Sequence, residues 1–261
     1  MLTPAGEETM SRLTDIIHFE KHPVAIYRAE KMPEDAEPAA AHCCIPSLLI
    51  KCSNHGIKCT ADIDQVACHG ALSGLGFGGF PNREKTSMSL SRFPEGSEAS
   101  AHGRGKKYFA DPECTMCQIG SIKDYGDGKD AIVFQDVEDA EKENRPIEVV
   151  VFVTDPGRLT ALMQLASYSK RTPGPATLAP FGHACQLIYA IPRAEGESDD
   201  PHGIIGMTDM YARRFVGMDE VTFAVPYRLY KRMLDDIPGS FLEDEKFLAN
   251  MDKALRIKTE E

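Results

Sequence analysis

The sequence predicts an α/β protein in the mixed α+β sense: a single domain with a central mixed sheet flanked by helices. Three observations predict it. The 261 residues are 42% hydrophobic and 26% charged, the balance of an ordinary globular chain with a core. Short apolar and β-branched runs, of which Ile147 to Val153 is the most continuous, alternate with stretches that are apolar at helical spacing. No homopolymeric linker divides the chain and no internal repeat at a fixed period suggests a solenoid, so residues 1–261 read as one domain.

Taken in order, Glu7 to Phe19 carries Met10, Leu13, Ile16 and Ile17 on one helical face and is stopped by Pro23. Val24 to Tyr27 predicts a strand, and the Pro- and Ala-rich Pro33 to Ala41 a surface loop. Cys43 to Ile50 suits a helix with Pro46 in its first turn, and Lys58 to Ile63 a strand or extended turn. Arg83 to Arg104 is polar and rich in Ser and Gly, which predicts an exposed loop over 83–104. Ala131 to Phe134 reads as a strand and the acidic Asp136 to Glu143 as a solvated loop or short helix. Ile147 to Val153 suits a strand covered on both faces, because it is a nearly continuous β-branched run. Thr154-Asp155-Pro156 then supplies an N-cap and a first-turn proline for a helix with Leu159, Leu162, Met163 and Ala166 on one face. Ala184 to Ile191 follows as a helix, Gly203 to Thr208 and Val221 to Val225 as strands. Tyr227, Tyr230, Leu234 and Ile237 mark another helical face, and 239–261 a charged C-terminal helical tail.

Charge narrows the partners. With 29 Lys plus Arg against 40 Asp plus Glu, the net charge is −11 and the basic residues are scattered, so a phosphate backbone is repelled and nucleic acid is not expected. No segment approaches the roughly eighteen unbroken apolar residues of a spanning helix, so no membrane is expected either. The N-terminal residues lack a basic and then apolar signal pattern, which predicts a cytoplasmic protein with reduced thiols.

Of the 8 cysteines, Cys43, Cys44, Cys52, Cys59, Cys68, Cys114 and Cys117 fall in the first 117 residues, with His42, His55 and His69 interleaved. In a reducing compartment such clustering points to metal or redox chemistry, because thiolate is a soft ligand. The two-residue spacing of Cys114 and Cys117 lets both sulfurs converge on one ion or close a disulfide. Four ligands drawn from these seven would hold zinc or an iron–sulfur cluster, although the spacing matches neither a zinc ribbon nor a compact ferredoxin run. The competing reading is that buried thiols are small hydrophobes that pack, and it applies most directly to Cys185.

Two further groups suggest a ligand. Gly74-Leu75-Gly76-Phe77-Gly78-Gly79 allows close backbone approach, but it has neither the Rossmann spacing nor a Walker ending, and close helix packing explains it as well. Asp209, Tyr211, Arg213 and Arg214 offer a guanidinium clamp for an anion, against a plain ion pair with Asp209, Asp219 or Glu220. Gly74, Gly76 and Arg213 are therefore the candidate cofactor-binding residues. No Ser-His-Asp order or His-Glu-x-x-His element is present, so hydrolase templates have little support and the sequence leaves open whether the protein is an enzyme.

Read in order, Pro23-Val24-Ala25-Ile26, the cysteine near Cys43 or Cys44 and Cys68-His69-Gly70-Ala71 running into Gly74 to Gly78 form one pattern. It continues through Val150 to Leu165, Ala184-Cys185, Gly206 to Arg214 and Val225-Pro226-Tyr227. This order resembles the bacterial and archaeal family grouped as domain of unknown function 169, from Pro23 to Ile237. The resemblance implies a fold and a ligand pocket, and no established reaction. Where the family often carries Gly-Cys-x-Gly-x-Arg, this chain has Asp209 at the cysteine position and keeps the arginine as Arg213. Cys114 and Cys117 lie outside the common pattern and mark a subgroup. The functional expectations are thus a metal- or iron–sulfur-binding redox protein, a binding module for a small anionic ligand with structural cysteines, and a dithiol oxidoreductase using Cys114 and Cys117. Its partner would be a small molecule or a redox protein, and a homo-oligomer is compatible with the sequence.

Overall fold

The apolar runs read from the sequence become strands of one mixed sheet. The computed structural model describes residues 13–40, 44–66, 69–77, 83–92, 107–120 and 130–259. Among them the strands are β1 (Val24–Ala29), β2 (Glu37–Pro38), β3 (Cys59–Ala61), β4 (Ala131–Asp136), β5 (Val149–Thr154), β6 (Thr177–Leu178), β7 (Gly203–Gly206) and β8 (Val221–Pro226). Their order across the sheet is β2-β3-β4-β1-β5-β8-β7-β6. The outer pairs β2–β3 and β6–β7 are parallel and the inner pairs antiparallel.

That order is the same read outward from the middle in either direction. β1 pairs with β4 from Val24↔Asp136 to Ala29↔Ala131, and β5 pairs with β8 from Val149↔Pro226 to Thr154↔Val221. Each half therefore holds one six-residue antiparallel pair in the same register, flanked by a shorter strand and then by a parallel edge strand. The central contact exchanges the halves without changing itself: Val24↔Val151, Ala25↔Val150 and Ile26↔Val149. The sheet has a pseudo-two-fold centred on Ala25 and Val150, so the chain contains two copies of one topology although no repeat shows in its residues.

Helices cover both faces. On one face lie α1 (Pro46–His55), α2 (His69–Gly74), a π-helical segment (Gln186–Ala190) and α7 (Ile191–Glu195). Leu48, Leu49 and Cys52 of α1, Ala71 of α2 and Ile188 and Tyr189 pack there on Val24, Ile26, Ile132, Val149 and Val151. The opposite face carries α5 (Val137–Lys142), α6 (Pro156–Tyr168), α8 (Tyr227–Asp235) and α9 (Glu245–Thr259), packed on Ala25, Tyr27, Val133, Val150, Phe152, Phe223 and Val225. The alternation along β1 and β5 assigns successive side chains to opposite layers, as pleating requires. Every residue of β5 is buried, and its one polar residue, Thr154, lies at its end.

Capping sets the helix boundaries. Asp155 accepts from the N–H groups of Gly157 and Arg158 at the start of α6, with Pro156 in its first turn, as the sequence predicts. Asp136 does the same for α5 through Glu138 and Asp139, where β4 runs directly into the helix. β8 runs into α8 in the same way at Pro226. α1 ends at Gly56, whose φ of 66° places it in the left-handed region that glycine enters without steric cost. Gln135, buried in β4, accepts from the Tyr27 hydroxyl at 2.6 Å and donates to Glu143 at 2.9 Å, so its amide is satisfied.

One expectation is corrected. Residues 83–90 of the stretch expected to be an exposed loop form α3 (Arg83–Leu90), which packs on α4 (Pro112–Gly120). Ser87, Leu90 and Ser91 are buried, and Ser91 Oγ shares a 2.6 Å hydrogen bond with Thr115 Oγ1. Small hydroxyls hydrogen-bonded to helix carbonyls satisfy themselves inside this contact, so a polar sequence folds as a packed helix. The remainder, 93–104, lies outside the described residues. Among the described residues no helix is long and apolar enough to cross a membrane.

Candidate functional site

The pseudo-symmetry brings helices of the two halves into crossed contact on one face of the sheet. α2, which follows β3, packs on the π-helical segment, while the 3₁₀ turn Arg213–Phe215, which follows β7, packs on α1. Gly74 makes the first contact close enough: a Cβ there would lie 2.6 Å from the Cys185 carbonyl carbon. A Cβ on Gly70 would lie 2.9 Å from the His183 ring, and the Gln186 amide joins the helices by donating to Ser73 Oγ at 3.1 Å. Gly70 and Gly74 are thus positions of close helix packing, and Gly78 and Gly79 lie outside the described residues. Gly76, with φ 71°, turns the chain, and its carbonyl accepts from the Arg28 guanidinium at 3.1 Å.

Beside this crossing lies a corner assembled from three distant segments. The segment after β7 begins with Met207 at φ 60°, buried and in a conformation that non-glycine residues rarely adopt. Asp209 follows, 6% exposed, its Oδ1 accepting from the Tyr211 N–H at 3.0 Å and the Tyr108 hydroxyl at 3.3 Å. Burial, and then the Asp209 charge, push the Tyr108 hydroxyl well above its usual range, so its proton stays in place to donate. The Tyr108 ring meets Phe181 at 5.5 Å and Tyr211 at 6.2 Å, both edge-on, and Phe181 meets Phe109 at 5.0 Å. Phe181 is 43% exposed, Tyr211 58% and Met210 74%. An irregular left-handed residue and a π-helical segment flank the corner, and both irregularities recur at functional sites.

Arg213 is engaged elsewhere. Its guanidinium donates to the carbonyls of Gly217 at 2.7 Å, Met218 at 3.0 Å and Glu220, closing the loop before β8. It pairs with backbone rather than with the carboxylates of Asp209, Asp219 or Glu220.

The cysteines separate. Cys52 and Cys59 are fully buried and share one core cluster, and burial followed by the neighbouring Cys59 pushes the Cys52 thiol far up, so it packs as a neutral group. Cys185 is buried against Gly74. Cys44 is half-buried just before α1. Cys114 and Cys117 are both exposed on α4, one turn apart. Cys43 and Cys68 lie outside the described residues. Among the described residues no group of three or more His, Cys, Asp or Glu side chains is placed to hold a metal ion.

A cleft of about 320 Å³ opens at the C-terminal end of β4. There His22 Nδ1 lies 2.7 Å from Asp136 Oδ2, whose other oxygen caps α5. The backbone of His22 is tied to Ser53, so this contact links α1, β1 and α5.

Sequence reasoning marked Asp209, Tyr211 and Arg213 but missed Tyr108, Phe181 and the His22–Asp136 pair. The available signal for Phe181 was its place between Pro180 and Gly182, a large aromatic ring held between two turn formers. The fold and the corner define a single-sheet α/β protein of two pseudo-equivalent halves, with an aromatic and carboxylate site where the halves cross. A family model, that of domain of unknown function 169, described as uncharacterised ArCR, matches residues 12–236. The chain belongs to that family. No curated protein and no solved structure matches it.

Proposed function

We propose that the protein is a small-molecule-binding module whose ligand sits at the Asp209 corner. The observation that carries this is a buried carboxylate beneath aromatic rings that remain open to solvent. A buried charge is costly to fold around, and exposed rings bury apolar area only when something covers them. Cys52, Cys59 and Cys185 serve packing in this reading. A thermal-shift panel of inorganic phosphate, nucleotides, carboxylates and alkylammonium salts tests it on wild type and Tyr211→Ala. The expected result is a rise in Tm with at least one compound that the substitution removes. No rise with any compound, or a rise the substitution leaves intact, overturns it.

One observation favours a second reading, thiol chemistry at Cys114 and Cys117: both sulfurs are exposed and share a side of α4. Zinc or an iron–sulfur cluster would need further ligands, for which the remaining thiols are Cys44, half-buried, and Cys43 and Cys68, which lie outside the described residues. Metal analysis and a visible spectrum after anaerobic purification test this, and the absence of both stoichiometric metal and cluster absorption excludes it. A thiol count that stays constant across redox buffers excludes the dithiol version.

A further inference from the structure

We infer that the ligand of the Asp209 corner is an organic cation, an alkylammonium group, rather than the anion that Arg213 and the glycine-rich segment suggest; this rests on the binding reading above. Asp209 is 6% exposed and, among the described residues, forms no ion pair. Its two hydrogen bonds come from neutral donors, the Tyr108 hydroxyl and the Tyr211 N–H, which solvate the carboxylate without cancelling its charge. The nearest cations in sequence are turned away: Arg213 holds the carbonyls of Gly217, Met218 and Glu220, and Arg214 stacks on Phe215 with 4.8 Å to the ring centroid. A buried carboxylate in this state gains most from a positive charge brought by a ligand.

The surroundings select the kind of cation. Phe181 and Tyr211 are 43% and 58% exposed, and the faces of aromatic rings carry the negative lobe of their quadrupole. They attract a weakly hydrated cation with an apolar shell more than a strongly hydrated metal ion, and Met210 adds apolar surface at the rim. An anion is disfavoured by the carboxylate, and the Tyr108 donor that could bind one already points at Asp209. The net charge of −11 raises the local concentration of cations around the whole molecule.

Isothermal titration of the full chain with choline and with its neutral carbon isostere, 3,3-dimethylbutan-1-ol, tests the inference. Choline is expected to bind about tenfold or more tightly than the isostere, the difference a desolvated cation–π and charge contact makes. Asp209→Asn and Tyr211→Leu are each expected to weaken choline several-fold while leaving the far-ultraviolet circular dichroism unchanged. If Asp209→Asn does not fold, Tyr211→Leu decides, because its side chain is mostly exposed. Equal binding of choline and isostere overturns the cation and leaves the binding module standing. So does a failure of choline and of every alkylammonium salt while a phosphate, nucleotide or carboxylate of the thermal-shift panel acts through Tyr211. A failure of every compound overturns both.

Discussion

Ala25 and Val150 face each other across the β1–β5 pair, fully buried, at the point about which the two halves of the sheet are related. A contact on this centre belongs to both halves, and its neighbours Tyr27, Val133, Phe152 and Phe223 fill the layer beneath α6 and α8. Val150→Ala removes two methyl groups from a site that rigid strands on both sides keep from collapsing. It is expected to cost about 2 kcal/mol. The urea midpoint measures this, and a change below about 0.5 kcal/mol, the size typical of surface substitutions, would mean that the centre is loosely packed.

Gly74→Ala separates the packing role of the glycine from a ligand role. In an exposed helix interior alanine is favoured over glycine by about 1 kcal/mol. Here the added Cβ would lie 2.6 Å from the Cys185 carbonyl carbon and 2.7 Å from the Gln186 nitrogen, and backbone atoms cannot move aside as a side-chain end can. Overpacking of this kind costs about 1–3 kcal/mol, so net destabilisation is expected. An unchanged or raised Tm would show that the helices separate easily and that glycine stands there for another reason.

The parts of the fold legible in the sequence are those specified within a few residues. Asp155 and Pro156 announce α6 because the cap and the first turn are local chemistry, and β5 announces itself because both its faces are covered. The two-fold is not legible, since it resides in register: Ala131 to Asp136 and Val221 to Pro226 are equivalent strands whose residues differ at every position. α3 was hidden because its buried positions are served by serines satisfied through their own helix carbonyls. The corner was half legible. Asp209, Tyr211 and Arg213 are neighbours in sequence, whereas Tyr108 reaches Asp209 from 101 residues away through tertiary packing. Clustering in sequence did not show how the thiols separate: Cys52 and Cys59 lie buried in the apolar layer between α1 and β3, whereas Cys114 and Cys117 are exposed on α4.

Lys58 predicts a pH dependence with two limbs. Its ammonium, largely covered, bonds Asp35 at 2.6 Å and Glu143 at 3.1 Å. The Lys58 hydrogen bond holds the Asp35 carboxyl below its usual range. Burial works against Glu143, but hydrogen bonds from Arg145, Lys58 and Gln135 outweigh it and lower that carboxyl too. Lys58 itself is raised, because the two carboxylates outweigh the opposing effect of burial. A carboxylate lowered in the folded state contributes stability above its unfolded pKa, near 4, and loses it as pH falls through the folded value. A lysine raised in the folded state contributes below its unfolded pKa, roughly 10.4, and loses it as pH rises through the folded value. Lys58→Met keeps the stem and removes the charge, so wild type should exceed it by about 1 kcal/mol at pH 7. Urea denaturation at pH 3, 7 and 11 should show the difference shrinking at both ends; a constant difference would assign the loss to packing instead.

Cys114 offers a kinetic test of the second functional reading. Asp111 accepts from the Cys114 N–H at 2.8 Å, and its carboxylate, through a hydrogen bond from the thiol and then through its charge, raises the pKa of Cys114. A nucleophilic cysteine at a helix start usually has the opposite shift. Asp111→Asn keeps a capping oxygen and removes the charge, so the thiolate population at pH 8 should rise. Intrinsic nucleophilicity falls as a thiol becomes more acidic, but only with a slope of about 0.4–0.5, so the population gain exceeds the loss. Iodoacetamide should therefore label Cys114 several-fold faster in Asp111→Asn at pH 8, read by peptide mass spectrometry with Cys117 on the same helix as the internal reference. At a pH high enough to ionise Cys114 in both proteins the order should reverse, because only nucleophilicity then differs. Equal rates at pH 8 would mean that Asp111 does not govern this thiol, and the argument against a ready dithiol nucleophile on α4 would fall with it.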